Sequence, residues 1–260
     1  MVSLARWVIL SIGVTLSGLE AVHASRLLSA TLADAHWIAA LQEQETRHVR
    51  KDERARSYYH LSQALRHDPS YFPIYAYGGA YLAVIRNDKE GAQEILERGE
   101  TYRRQELPKR SVAYQNRFWR DAWQIPLTLA YVHLFEWNDL ARASEYFRCT
   151  SEIPSAPDFT RALHTRLSQT LGPYDVGRRL LQQMLAGARD PEWRRTLEQR
   201  LRHLDVAAFL AEQRLRLREK KPIATRDPWG GRVNRTPQGH LETTTPYDPV
   251  LGLDPNVLVP

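Results

Sequence analysis

Cysteine is almost missing from this chain: Cys149 stands alone among 260 residues. No intramolecular disulfide can form, and no cysteine-held zinc cluster can be built. Two positions after Phe147 in a helical pattern, Cys149 reads as a small apolar packing residue rather than a nucleophile. Catalytic signatures are lacking too. Nine histidines are present, but His36, His48, His60, His67, His133 and His164 are scattered without metal-ligand spacing such as His-Glu-x-x-His. There is no Gly-x-Ser-x-Gly elbow and no glycine loop for phosphate. These absences point away from an enzyme and imply no cofactor, no metal and no small-molecule substrate.

A long hydrophobic run is also wanting near the N-terminus. Arg6 precedes an apolar stretch of 13 residues from Trp7 to Leu19, shorter than the ~17–25 needed to cross hydrocarbon. The length suits a signal-peptide core, and Val22-x-Ala24 resembles a leader-peptidase site. Residues 1–24 are therefore expected to be a cleaved signal peptide, with an uncleaved inner-membrane anchor as the alternative. A lipid-modified anchor is excluded, because no cysteine lies nearby. The expected location is the periplasm or the periplasmic face of the inner membrane.

What is present is a repeat. Polar helix-to-helix turns occur at Asp52, Asn87, Asn138 and Gly172, with spacings of 35, 51 and 34 residues. About one helical turn after each comes a small residue: Ser57, Ala92, Ala143 and Gly177. Four positions further on stands a bulky apolar one: Leu61, Leu96, Phe147 and Leu181. A period near 34 marks stacked antiparallel helix pairs, in which small residues let the axes approach and bulky ones fill the space between pairs. His67-Asp68-Pro69 stops the first pair, since proline disfavours helix at the preceding residue. Gly79 in the second pair is expected to admit the neighbouring helix closely.

The 17 surplus residues between Asn87 and Asn138 fall around Tyr102 to Trp123. This segment interleaves Arg103, Arg104, Lys109, Arg110, Arg117 and Arg120 with Tyr102, Tyr114, Phe118, Trp119 and Trp123. Such a mixture can grip nucleobases or an acidic peptide, or it can be a connecting helix whose aromatics pack inward. Beyond the fourth pair, Asp190 and Pro191 open a longer helix with the seam Trp193, Leu197, Leu201, Leu204, Ala208, Ala211 and Leu215. It reads as a cap over the open end of the stack. From Pro222 the composition changes. Residues 232–236 and 240–244 alternate around Pro237-Gln238-Gly239 as a short hairpin, and Asp227-Pro228-Trp229-Gly230-Gly231 forms a tight turn presenting one indole. The segment after Pro246 reads as extended and loosely held.

Over residues 31–187 the chain resembles tetratricopeptide-repeat proteins, with Ala64, Pro69, Gly79, Ala92, Ala143 and Phe147 on that family's pattern positions. It departs at Ser57, at Gly177 where alanine is usual, and in the extra residues before the third pair. The order of leader, degenerate repeats and Asp-Pro-Trp-Gly-Gly tail looks like bacterial cell-envelope members. The turn at Asp227–Gly230 is also similar, over four residues, to the C-terminal region of type II secretion major pseudopilins. The resemblance implies an all-α, TPR-like α-solenoid of about four helix pairs over 25–187, a capping helix over 188–221, and a hairpin-containing tail over 222–260. It implies a non-enzymatic scaffold that binds a partner protein's peptide or helix in the groove formed by the first helices. The alternative is a membrane-anchored assembly component of a pilus or type II-like secretion machine. By register, Tyr75, Tyr131, Arg161 and His164 fall on the groove side, and Trp229 is the tail's exposed contact. The net charge of +6 suits an acidic partner, an anionic membrane or nucleic acid, and export argues against the last.

Overall fold

A computed structural model describes residues 25, 27–43, 49–50, 53–169, 171–248 and 253–255. The expected leader at 1–24 and the turn at Asp52 lie outside the described residues. Within them the chain is mostly helical, with one two-stranded sheet, so the expected all-α class is what is found. Among the described residues no helix is long and apolar enough to cross a membrane.

Helix α1 covers residues 27–42, and α2 covers Arg56–His67. Next, a π-helical turn, Ile74–Gly78, runs directly into α3, Gly79–Val84. Helix α4, Lys89–Gln105, returns alongside α3. The small and bulky positions picked out by the repeat are all buried: Ser57, Ala92, Ala143 and Gly177, then Leu61, Leu96, Phe147 and Leu181. Close approach explains the first set. A Cβ on Gly79 would meet the Leu96 side chain at 2.7 Å, and one on Gly177 would meet Phe135 at 2.8 Å. The second distance accounts for glycine where the repeat otherwise carries alanine or serine.

Two turns share one construction. Asn87 and Asn138 both take left-handed backbone angles, φ 53° and 51°, which asparagine tolerates better than most residues. The amide of the following aspartate then donates to a carbonyl six residues back, Asp88 to Leu82 and Asp139 to His133, satisfying an orphan helix-end acceptor. Each aspartate side chain caps the next helix, Asp88 accepting from Gly91 and Asp139 from Arg142. Asp88 also accepts the Ala55 amide at 2.7 Å, which joins the start of α2 to the start of α4.

The surplus residues form a 3-10 turn, Leu107–Lys109, and a short helix α5, Val112–Phe118. The third hairpin is α6, Gln124–Tyr131, prolonged by a π turn Val132–Glu136, packed on α7, Leu140–Ser151. In the fourth, a 3-10 stretch Asp158–Ala162 leads into α8, Leu163–Leu167, against α9, Gly172–Gly187. Gly172, expected in the turn itself, is the first residue of α9. A Cβ there would lie 1.8 Å from the Arg166 carbonyl oxygen, so the chain doubles back too tightly for any side chain.

Helix α10, Pro191–Arg218, starts where the Asp190–Pro191 signal placed it, with the Asp190 carboxylate accepting from the Trp193 amide at 2.7 Å. It lies along α9 and also reaches back to α3. Arg200 makes that reach. Its guanidinium pairs with Glu136 at 2.6 Å and donates to the Ala83 carbonyl, with side chains 1% and 2% exposed. This contact goes beyond the cap over the open end that the apolar seam predicts, because Arg200 stands among the polar residues between seam positions.

The tail hairpin forms as expected: β1, Val233–Arg235, pairs antiparallel with β2, Leu241–Thr243. Leu241 packs on Val206 and Leu210 of α10. The Asp227 carboxylate organises the preceding turn by accepting from the Trp229 and Gly231 amides and the Thr243 hydroxyl. Burial would raise its pKa, but these donors hold it below the usual carboxylate value. Beyond Pro246 the tail is tied down further than expected. The Asp248 amide donates to His203, Leu253 is buried, and Arg214 reaches the Pro255 carbonyl.

Candidate functional site

The first helices of the second and third hairpins, together with α9 and the start of α10, leave an apolar cleft of about 390 Å³. Tyr77, Trp123, Leu127, Tyr131, Met184 and Trp193 form its walls and floor. Gln124, Thr128, Gln183 and Arg189 supply polar groups along it. Local structure explains why these side chains converge. Trp123 immediately precedes α6, and Trp193 sits in the first turn of α10, so both indoles project from helix starts. Tyr77 lies in the π turn of the second hairpin and is 56% exposed. Tyr131 is buried at the base, with Arg200 5.8 Å from its ring centre. Burial raises the Tyr131 phenol's pKa, so it stays neutral at ordinary pH.

Of the residues placed on the groove by register, Tyr131 alone lines this cleft. Tyr75 is buried, donates its hydroxyl to the Pro69 carbonyl and packs on Trp119. It borders a separate, shallow opening between α2 and α4 that holds Glu94, Glu97, Arg98 and Glu106. Arg161 is exposed and pairs with Asp158 one turn away, and His164 is half-buried beside Thr165. Neither lines the cleft, because the first helix of the fourth hairpin is short and begins in 3-10 geometry. Trp229 is 46% exposed and also does not line the cleft. The residues that sequence reasoning missed are Tyr77, Trp123, Met184 and Trp193. Trp123 and Trp193 carried a usable signal, an aromatic at a helix start facing a neighbouring pair. Tyr77 carried none, since a π turn shifts the register that a 3.6-residue period assumes.

Histidine chemistry remains sparse. His36 comes within 3.4 Å of His60 and its ring stacks on His67, but among the described residues no group of three acidic, histidine or cysteine side chains could hold a metal ion. Cys149 is buried, with the Arg104 guanidinium 3.1 Å from its sulfur. In comparisons with known proteins, no family model, no curated protein and no solved structure matches this chain.

Proposed function

We propose that this chain is a non-enzymatic, TPR-like scaffold of the bacterial cell envelope that receives a partner protein's helix or extended peptide in the apolar cleft. The supporting observation is the cleft itself: two half-buried tryptophans and a half-buried methionine line it over a floor that includes the buried Leu127 and Leu180. Aromatic and methionine side chains in a concave, largely preformed site supply contact area and adapt to irregular ligands. Helix-in-groove recognition uses such a surface, with anchors at i, i+3 or i+4 and i+7 on the ligand. The polar residues along the walls set orientation rather than chemistry. Export through residues 1–24 belongs to the same reading and places the scaffold in the periplasm or on the inner membrane's outer face.

Selection of random peptides by display against the full chain tests this. Binders should carry spaced apolar anchors, quench Trp123 and Trp193 fluorescence, and lose affinity in Met184→Glu while the melting point holds. Binders indifferent to Met184→Glu, or none at all, would remove the cleft as the docking site.

A further inference from the structure

The basic-aromatic corner around α5 is not used by the cleft, and its construction is unusual. Helix α5 buries none of its seven residues. Val112 is 69% exposed and Phe118 50%. Tyr114 packs against Phe118 at 5.0 Å between ring centres, Arg110 lies over Tyr114 and Arg117 over Phe118. Arg110 and Arg117 are exposed at these rings, Lys109 and Arg120 are exposed on either side, with Lys109 paired to Glu106 at 2.8 Å, and α5 itself contains no acidic residue. The corner is firmly mounted. Trp119 follows α5, is buried against Phe72, Tyr75 and Tyr102, and donates its indole N–H to the Ser70 carbonyl at 3.0 Å.

We infer that this corner is a contact site for an anionic phospholipid surface. Exposed guanidinium groups beside exposed aliphatic and aromatic side chains match an interface that is negatively charged outside and apolar a few ångströms within. Single-stranded nucleic acid fits less well, because it needs aromatic faces free for stacking. Here Phe118 is half exposed, but Arg110 lies over the Tyr114 face and Arg117 over the Phe118 face, so a stacking base would have to displace them. Continuity supports the lipid reading. Trp119, which follows α5, meets Phe72 while Trp37 of α1 meets the adjacent Tyr71, so both segments are anchored on neighbouring residues. Helix α1 leaves Leu27, Leu28, Ile38 and Leu41 exposed, and the apolar stretch Trp7 to Leu19 precedes it in sequence. This surface is separate from the cleft, and its test is independent of peptide binding.

Co-sedimentation of the full chain with phosphatidylcholine vesicles, with and without phosphatidylglycerol, reads the inference directly. Binding to the anionic vesicles should exceed binding to neutral ones and weaken with salt. Arg110→Gln with Arg117→Gln should reduce it about thirty-fold, at about five-fold per charge lost near the surface. Phe118→Ser should lower the binding that survives high salt. The charge variants alter only exposed groups, so an unchanged circular-dichroism melt verifies their fold. Any vesicle binding by the N-terminal segment is common to all variants and shows on neutral lipid. Equal binding to both vesicle types overturns the inference, as does anionic preference that persists in the double variant. Retention of single-stranded RNA, lost in that variant without any vesicle binding, would assign the corner to nucleic acid instead.

Discussion

Truncating Arg200 should destabilise the fold far more than truncating any surface arginine. Its side chain is 1% exposed and its partner Glu136 2% exposed, at 2.6 Å. Burial acts to lower the guanidinium's pKa, but Glu136 and Tyr131 hold it above the ordinary value, so Arg200 keeps its charge inside the fold. Arg200→Ala strands the Glu136 carboxylate in an apolar interior and removes the donor to the Ala83 carbonyl. Breaking one side of a buried pair costs about 3–5 kcal/mol. At about 2–4 °C per kcal/mol for a chain of this size, the melting point should fall by about 6–20 °C. Replacing both members, Arg200→Met with Glu136→Leu, should recover most of that loss, since apolar pairs of similar volume often match a buried ion pair. Thermal melts and denaturant titrations of the two single variants and the double close the cycle. Strictly additive effects, or a loss below about 1 kcal/mol for Arg200→Ala, would refute the reasoning.

Three further outcomes follow from the same structure. His133 is buried, stacks on Tyr146 at 5.3 Å and has no hydrogen-bond partner for either ring nitrogen, and burial lowers its pKa below the ordinary 6.5. Its folded value lies below its unfolded one, so stability is full above pH 6.5 and declines as acid protonates the unfolded chain preferentially; melts at pH 7.5 and 5.5 should show this, and His133→Phe should flatten that dependence. Deleting residues 222–260 uncovers Val206 and Leu210, at about 1.5–3 kcal/mol per side chain, and an unmoved melting point would show that the hairpin is not docked. Gly172→Ala should cost at least about 1–3 kcal/mol through overpacking, because its Cβ would fall 1.8 Å from the Arg166 carbonyl oxygen, which cannot rotate away; a melt matching wild type would refute the tight turn.

Helix pairing was legible because it rests on local chemistry. The asparagine-aspartate turns, the Asp190-Pro191 start and the glycine after Pro237 each impose backbone geometry within a few residues. The small and bulky positions were legible for a similar reason, as a 3.6-residue period reports which face is covered. The cleft was not, since it depends on how far α10 travels back across the hairpins, and that is fixed by one arginine meeting a glutamate 64 residues earlier. Tyr75 and Tyr131 illustrate the limit of register. Both stand on the side of the first helix that faces its neighbours, but Trp119 of the inserted segment covers Tyr75 and Arg200 of α10 lies against Tyr131, which turns that side into interior.

Asp88 carries a consequence for how α2 sits against α4. One carboxylate holds the amide at the head of α2 and the amide of Gly91 in the first turn of α4. Sliding either helix along its axis would strip a donor from that oxygen pair, whereas a swivel about the carboxylate keeps both. The heads of α2 and α4 are thus pinned to one carboxylate, which fixes the stagger of the two helices.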